Sequence, residues 1–90
     1  MSTIDPVLAS FREQIDALDA QLVDAVNKRL ETVLELRRHK EETGLAFLDP
    51  DREAWLVAHL KERNGGPLSD EGVEELITFV LDLVKREVAR

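Results

Sequence analysis

An all-α fold of three helices, long–short–medium, in a helical dimer whose long helices pack together, is what the sequence predicts. Three features carry that reading. Apolar residues recur at spacings of three and four, Asp-Pro opens two segments, and a glycine-proline break separates the second segment from the third. The sequence holds no strand-like alternation and no hairpin signal.

The long helix is read over residues 5–42. Asp5-Pro6 supplies an N-cap acid followed by proline at the first helical position. Leu8, Phe11, Ile15, Leu18 and Leu22 then fall on one stripe, which continues through Ala25, Val26, Leu30, Val33, Leu34 and Leu36. No glycine or proline follows until Gly44, which suits a C-terminal stop. At ~1.5 Å per residue the helix is upwards of about 50 Å long, roughly twice the diameter of a compact domain of this size. One chain cannot bury such a stripe, so a partner is implied.

Residues 43–48 connect the first two helices and carry two or three apolar side chains suited to covering a cavity or packing on the helices. Asp49-Pro50 repeats the start signal, and Asp51 and Glu53 suit the positive end of a second helix from Pro50 to Arg63. Its stripe is Leu56 and Leu60, with Trp55 and Val57 alongside; Arg52, Glu53 and Leu56 share one side. Asn64-Gly65-Gly66-Pro67 breaks the helix, and Ser69 is a fitting N-cap for the third. Val73, Leu76, Ile77, Val80, Leu83, Val84 and Val88 form its expected inward side. Residues 1–4 read as a frayed end.

With 90 residues the chain is expected to be one domain, spanning 1–90. Twelve Lys and Arg against nineteen Asp and Glu give a net charge of −7, which disfavours nucleic acid or an anionic membrane as partner. The absence of cysteine removes disulfides, thiolate nucleophiles and cysteine metal sites. No apolar run approaches ~18 residues and no basic-then-apolar leader opens the sequence, so the expected setting is cytoplasmic.

Against this acidic background the cations on the long helix are local design. Arg29 lies seven residues after Leu22 and fourteen after Ile15, on or beside the buried seam. Lys40 follows Arg29 by eleven residues, close to three whole turns, so the two point the same way. Arg12 is seventeen residues before Arg29, off that direction and ~25 Å away along the axis. One pocket could hold Arg29 and Lys40 from one chain, but Arg12 only from another. Taken singly, Arg12 and Lys40 also read as solvated charges; Arg29 on the seam calls for an anion.

Other chemistries find no tools. His39 and His59 are twenty residues apart on different helices, outside any metal-ligand spacing, and read as surface or supporting groups. Ser2, Ser10 and Ser69 lie in no nucleophile motif, and Gly65-Gly66 is too short for a phosphate loop. No metal, cofactor or covalent intermediate is expected. Arg12, Arg29, Lys40 and Arg52, with Asp49 and Glu53, suit a small, polyanionic, hydroxylated ligand. An enzyme so equipped works by positioning and fixed charge.

Phe11-Arg12-x-x-Ile15-Asp16-x-Leu18-Asp19, then Arg29, Lys40 and Asp49-Pro50-x-Arg52-Glu53 make an ordered set that resembles the small all-helical class of chorismate mutases. The match runs from about residue 8 to 63 and continues more weakly through the third helix. The resemblance implies an intertwined dimer with two equivalent sites and the Claisen rearrangement of chorismate to prephenate, a step towards phenylalanine and tyrosine. It implies that Arg12, supplied across the dimer, clamps the two substrate carboxylates together with Arg29 and Arg52. Lys40 would donate to the ether oxygen, and Glu53 and Asp49 would hold the ring hydroxyl.

The third helix departs from the family pattern. Val84 stands where the family often has serine, and Val88 where a glutamine or glutamate usually shares the ether oxygen with Lys40. Three readings follow: a slow enzyme improved by a partner enzyme of the pathway, substitution by Glu87 or Lys85, or a different substrate. The alternatives are a mutase of 4-amino-4-deoxychorismate, whose ammonium Asp49 and Glu53 could accept, an isochorismate pyruvate lyase, and a non-catalytic helical module that senses a metabolite.

Overall fold

The computed structural model describes residues 5–46 and 49–90. Three helices account for it: α1 over Pro6–Thr43, α2 over Pro50–Arg63 and α3 over Asp70–Val88. The expected frayed end at residues 1–4, and Phe47 and Leu48 of the first connection, lie outside the described residues.

Each boundary has a local cause. The Asp5 carboxylate accepts from the amides of Val7 at 2.9 Å and Leu8 at 3.5 Å, which caps α1 ahead of Pro6. The helix ends where Gly44 takes φ 75°, the left-handed conformation open to a residue without Cβ. The amides of Gly44 and Leu45 there close on the Lys40 carbonyl. Asp49 caps α2 by accepting the Arg52 amide at 3.1 Å, and Ser69 caps α3 by accepting the Gly72 amide at 3.0 Å. Between α2 and α3 the Asn64 side chain organises the turn. It donates to the Leu68 carbonyl at 2.6 Å and accepts the Gly66 amide at 3.1 Å, while Gly66 holds φ 76°. Lys61 and Glu74, 2.6 Å apart, tie the two helices together just beyond that turn.

The arrangement is open. The longest dimension is 63 Å, against about 57 Å for 38 residues of straight helix, so α1 alone sets it. A radius of gyration of 17.8 Å far exceeds the roughly 12 Å of a compact chain of this length. Helix α3 packs on both α1 and α2, whereas α1 and α2 make no close backbone approach to one another. Among the described residues the buried apolar side chains are Val73, Val84 and Val88, all from α3.

Nothing in the described chain covers the first half of α1. Leu8, Phe11, Ile15, Leu18 and Leu22 are 45–59 % exposed, as a stripe too long for one chain requires. One expectation for α3 is corrected: Leu76 is 44 % exposed. Leu76 is one position, about 100°, from Ile77 and turns to the outer side. Leu81, absent from the expected inward set, instead lines the space between the helices.

Candidate active site

Because α3 holds α1 and α2 apart, a cavity of about 300 Å³ opens between them. Helix α1 contributes Arg29, Val33, Leu36 and Lys40, a run of three- and four-residue steps along one face, with Thr32 beside Val33. The capped start of α2 contributes Asp49, Arg52, Glu53 and Leu56, and α3 contributes Leu81, Val84 and Lys85. Five charged residues expected at the site, Arg29, Lys40, Asp49, Arg52 and Glu53, are thus brought together from two helices. Val84, only 2 % exposed, gives part of the apolar wall.

Arg12 and Val88 are placed elsewhere. Arg12 is on the exposed first half of α1 and does not line the cavity. Val88 is buried and borders an adjoining cavity of about 340 Å³, which shares Lys40 and Lys85 with the first. The Val88 backbone carbonyl accepts from Arg37 Nη1 at 2.8 Å, which ties the last turn of α3 to α1.

Lys85 Nζ and Glu53 Oε1 lie 2.7 Å apart, an ion pair that joins the start of α2 to α3 at the cavity. Arg52 is steadied differently: its guanidinium carbon is 4.4 Å from the centre of the Trp55 ring, which stacks on His59 at 4.6 Å with an 11° interplanar angle. His59 therefore has a supporting place in a column of three side chains on α2. His39 is exposed on α1, and its carbonyl accepts from the Thr43 hydroxyl.

Four cations (Arg29, Lys40, Arg52, Lys85) face two carboxylates (Asp49, Glu53), so the cavity lining carries two more positive than negative groups inside a chain of net charge −7. The one hydroxyl among the lining side chains, on Thr32, donates to the Lys28 carbonyl at 3.0 Å. Such a set can grip carboxylates with forked donors, place an ammonium against an oxygen that gains charge, and accept a hydroxyl proton at a carboxylate. Lys85, expected only as a substitute for the missing donor, lines the cavity itself, and Arg37, which borders the adjoining one, is the addition the structure makes. Lys85 follows Leu81 by four residues, a helical signal for a shared side.

Solved structures share this architecture. A chorismate mutase from Thermus thermophilus (form II) superposes with a TM-score of 0.86 at 26% sequence identity, covering 92% of this chain and 94% of that one. A bifunctional chorismate mutase/prephenate dehydratase of Pseudomonas aeruginosa is 32% identical over 79 residues, which is 82% of this chain and 22% of that protein. The chain therefore spans about a fifth of the length of such relatives. A 4-amino-4-deoxychorismate mutase of Streptomyces venezuelae is 29% identical over 84 residues, covering 92% of this chain and 78% of that protein. The family profile of chorismate mutase type II matches residues 11–88. With that match and the shared three-helix fold, the chain belongs to the type II chorismate mutase family.

Proposed function

We propose that this chain, as a single domain over residues 1–90, rearranges chorismate to prephenate in a homodimer whose two sites each draw on both subunits. The observation that carries the reading is the gathering of Arg29, Lys40, Asp49, Arg52 and Glu53 around one cavity. Chorismate has two carboxylates, a ring hydroxyl and an ether oxygen, and those five side chains supply a partner type for each. In the proposal Arg29 and Arg52 hold the carboxylates and press the enolpyruvyl arm over the ring. The ether C–O bond then breaks as the new C–C bond forms within the same molecule. Lys40 stabilises the charge that grows on the ether oxygen, and Glu53 with Asp49 accepts from the hydroxyl. The rate gain comes from holding a reactive conformer and from fixed charge already in place.

Dimerisation is part of the proposal because of what α1 leaves uncovered. The exposed stripe from Leu8 to Leu22 lies on the same half-helix as Arg12, so a second copy packed there would carry its own Arg12 to this chain's cavity. Val84 and Val88 supply no hydrogen-bond donor beside Lys40. An activating enzyme of the same pathway, acting at the end of α3, belongs to the proposal on that account.

The test is incubation of purified protein with chorismate, following the loss of its absorbance and identifying the product. Prephenate formed in proportion to enzyme supports the reading, and unchanged chorismate at high protein concentration ends it. Similarity to the Streptomyces 4-amino-4-deoxychorismate mutase favours a second reading, with that amino compound as substrate.

A further inference from the structure

We infer that Lys85 is a specificity-determining residue: by pairing with Glu53 it makes the cavity accept a ring hydroxyl and discriminate against a ring ammonium. The inference rests on the mutase reading above and decides between its two substrates. Glu53 is the carboxylate proposed to meet the ring substituent, and its Oε1 is 2.7 Å from Lys85 Nζ. Both side chains are partly shielded, at 32 % and 39 % exposure, so the pair is not fully screened by water.

A hydroxyl bound at Glu53 donates one hydrogen bond and leaves the Lys85–Glu53 pair intact, because a carboxylate has lone pairs for both. An ammonium at the same place confronts the Lys85 ammonium across one shared carboxylate, and like charges at that range repel. The count of charged groups points the same way. With Lys85 the lining holds four cations and two carboxylates, and without it three and two. The lining with Lys85 thus favours the ligand with more negative net charge, the dianion with a neutral hydroxyl. Arg12 from a second subunit adds the same charge in both cases and does not alter the difference.

The experiment compares chorismate with 4-amino-4-deoxychorismate as substrates for the wild type, Lys85→Met and Lys85→Gln, reading kcat/KM for each. The ratio of the two values within one preparation is insensitive to the fraction of protein that is folded, so a partly unstable variant still reports. The wild type is expected to prefer chorismate by at least about tenfold, and both variants to lose about tenfold of that preference, equivalent to about 1.4 kcal/mol. A wild type that handles both substrates equally overturns the inference. So does a ratio that stays fixed while Lys85→Met lowers turnover of both substrates together, since Lys85 then acts as a general donor. Turnover of neither substrate by the wild type overturns the mutase reading, and the inference with it.

Discussion

Arg37 Nη1 donates to the Val88 carbonyl at 2.8 Å, so a side chain of α1 holds the last turn of α3. That turn follows directly on Lys85, and the last carbonyls of a helix have no partner of their own to hold them. Arg37 also pairs with Glu41 at 3.1 Å, but with side chains 42 % and 63 % exposed the pair is screened and adds little. Arg37→Ala is expected to cost about 1 kcal/mol, the scale of one hydrogen bond, which for a chain this size lowers Tm by roughly 4–8 °C. The melt is run at fixed protein concentration, because the Tm of the proposed dimer depends on it. KM for chorismate should rise with it as Lys85 loses its fixed place, and an unchanged melt with an unchanged KM removes the latch.

Trp55 is the next test, because it fixes Arg52 without touching the cavity. The guanidinium lies 4.4 Å from the ring centre, and His59 stacks on the same ring to complete the column. A cation–π contact at an exposed position is worth roughly 0.5–1 kcal/mol, about two- to fivefold in binding. Trp55→Ala should therefore raise KM by about that factor with kcat changed less, and Trp55→Phe should recover most of the loss. Steady-state kinetics of the three proteins checks it, and an equal fall in kcat for both variants points to general misfolding instead.

How much of this was legible in the sequence follows the range of the physics involved. Helix phase along α1 aligned Arg29 with Lys40, and the capped start of α2 placed Asp49, Arg52 and Glu53; both are local, and both groups line the cavity. The outward turn of Leu76 and the pairing of Lys85 with Glu53 were harder because both residues are on α3, whose rotation about its own axis is set by packing on two other helices. A long side chain such as Lys85 can also turn to either side of its own stripe. Arg37 stands next to Arg38, and helix phase alone does not say which of two consecutive arginines reaches the end of α3.

The Lys61–Glu74 pair predicts a pH dependence confined to alkaline solution. The hydrogen bond to Glu74 is the main cause that raises the Lys61 pKa above its ordinary 10.5; burial acts against it, and the charges of Glu74, Asp70 and Glu71 add to it. The folded chain therefore holds this proton more tightly than the unfolded one. The stabilisation is complete below the ordinary lysine value and fades as pH rises through the raised one. Glu74→Gln should melt slightly lower than wild type by a constant margin from about pH 7 to 9, with the margin closing above pH 10.5. Because the pair is exposed, salt at about 1 M should shrink the same margin at neutral pH. A margin independent of both pH and salt would falsify the assignment to this ion pair.

Subunit mixing tests whether Arg12 acts across the proposed dimer. Arg12 and Arg29 are seventeen residues apart on one straight helix, about 25 Å along its axis, and only Arg29 lines the cavity of its own chain. Arg12→Ala and Arg29→Ala should each lower kcat/KM by about 10²-fold or more, the scale for removing one charged contact to the transition state. Equal amounts of the two variants, after exchange of subunits, form heterodimers in half of the population. Each heterodimer has one site with both lesions and one with neither, so about a quarter of wild-type activity should return. If Arg12 served its own chain's cavity instead, both sites of the heterodimer would carry one lesion and no activity would return. Exchange is verified independently with a mass-tagged subunit, and Leu18→Asp, which puts a charge into the exposed stripe, should abolish the recovery by preventing assembly.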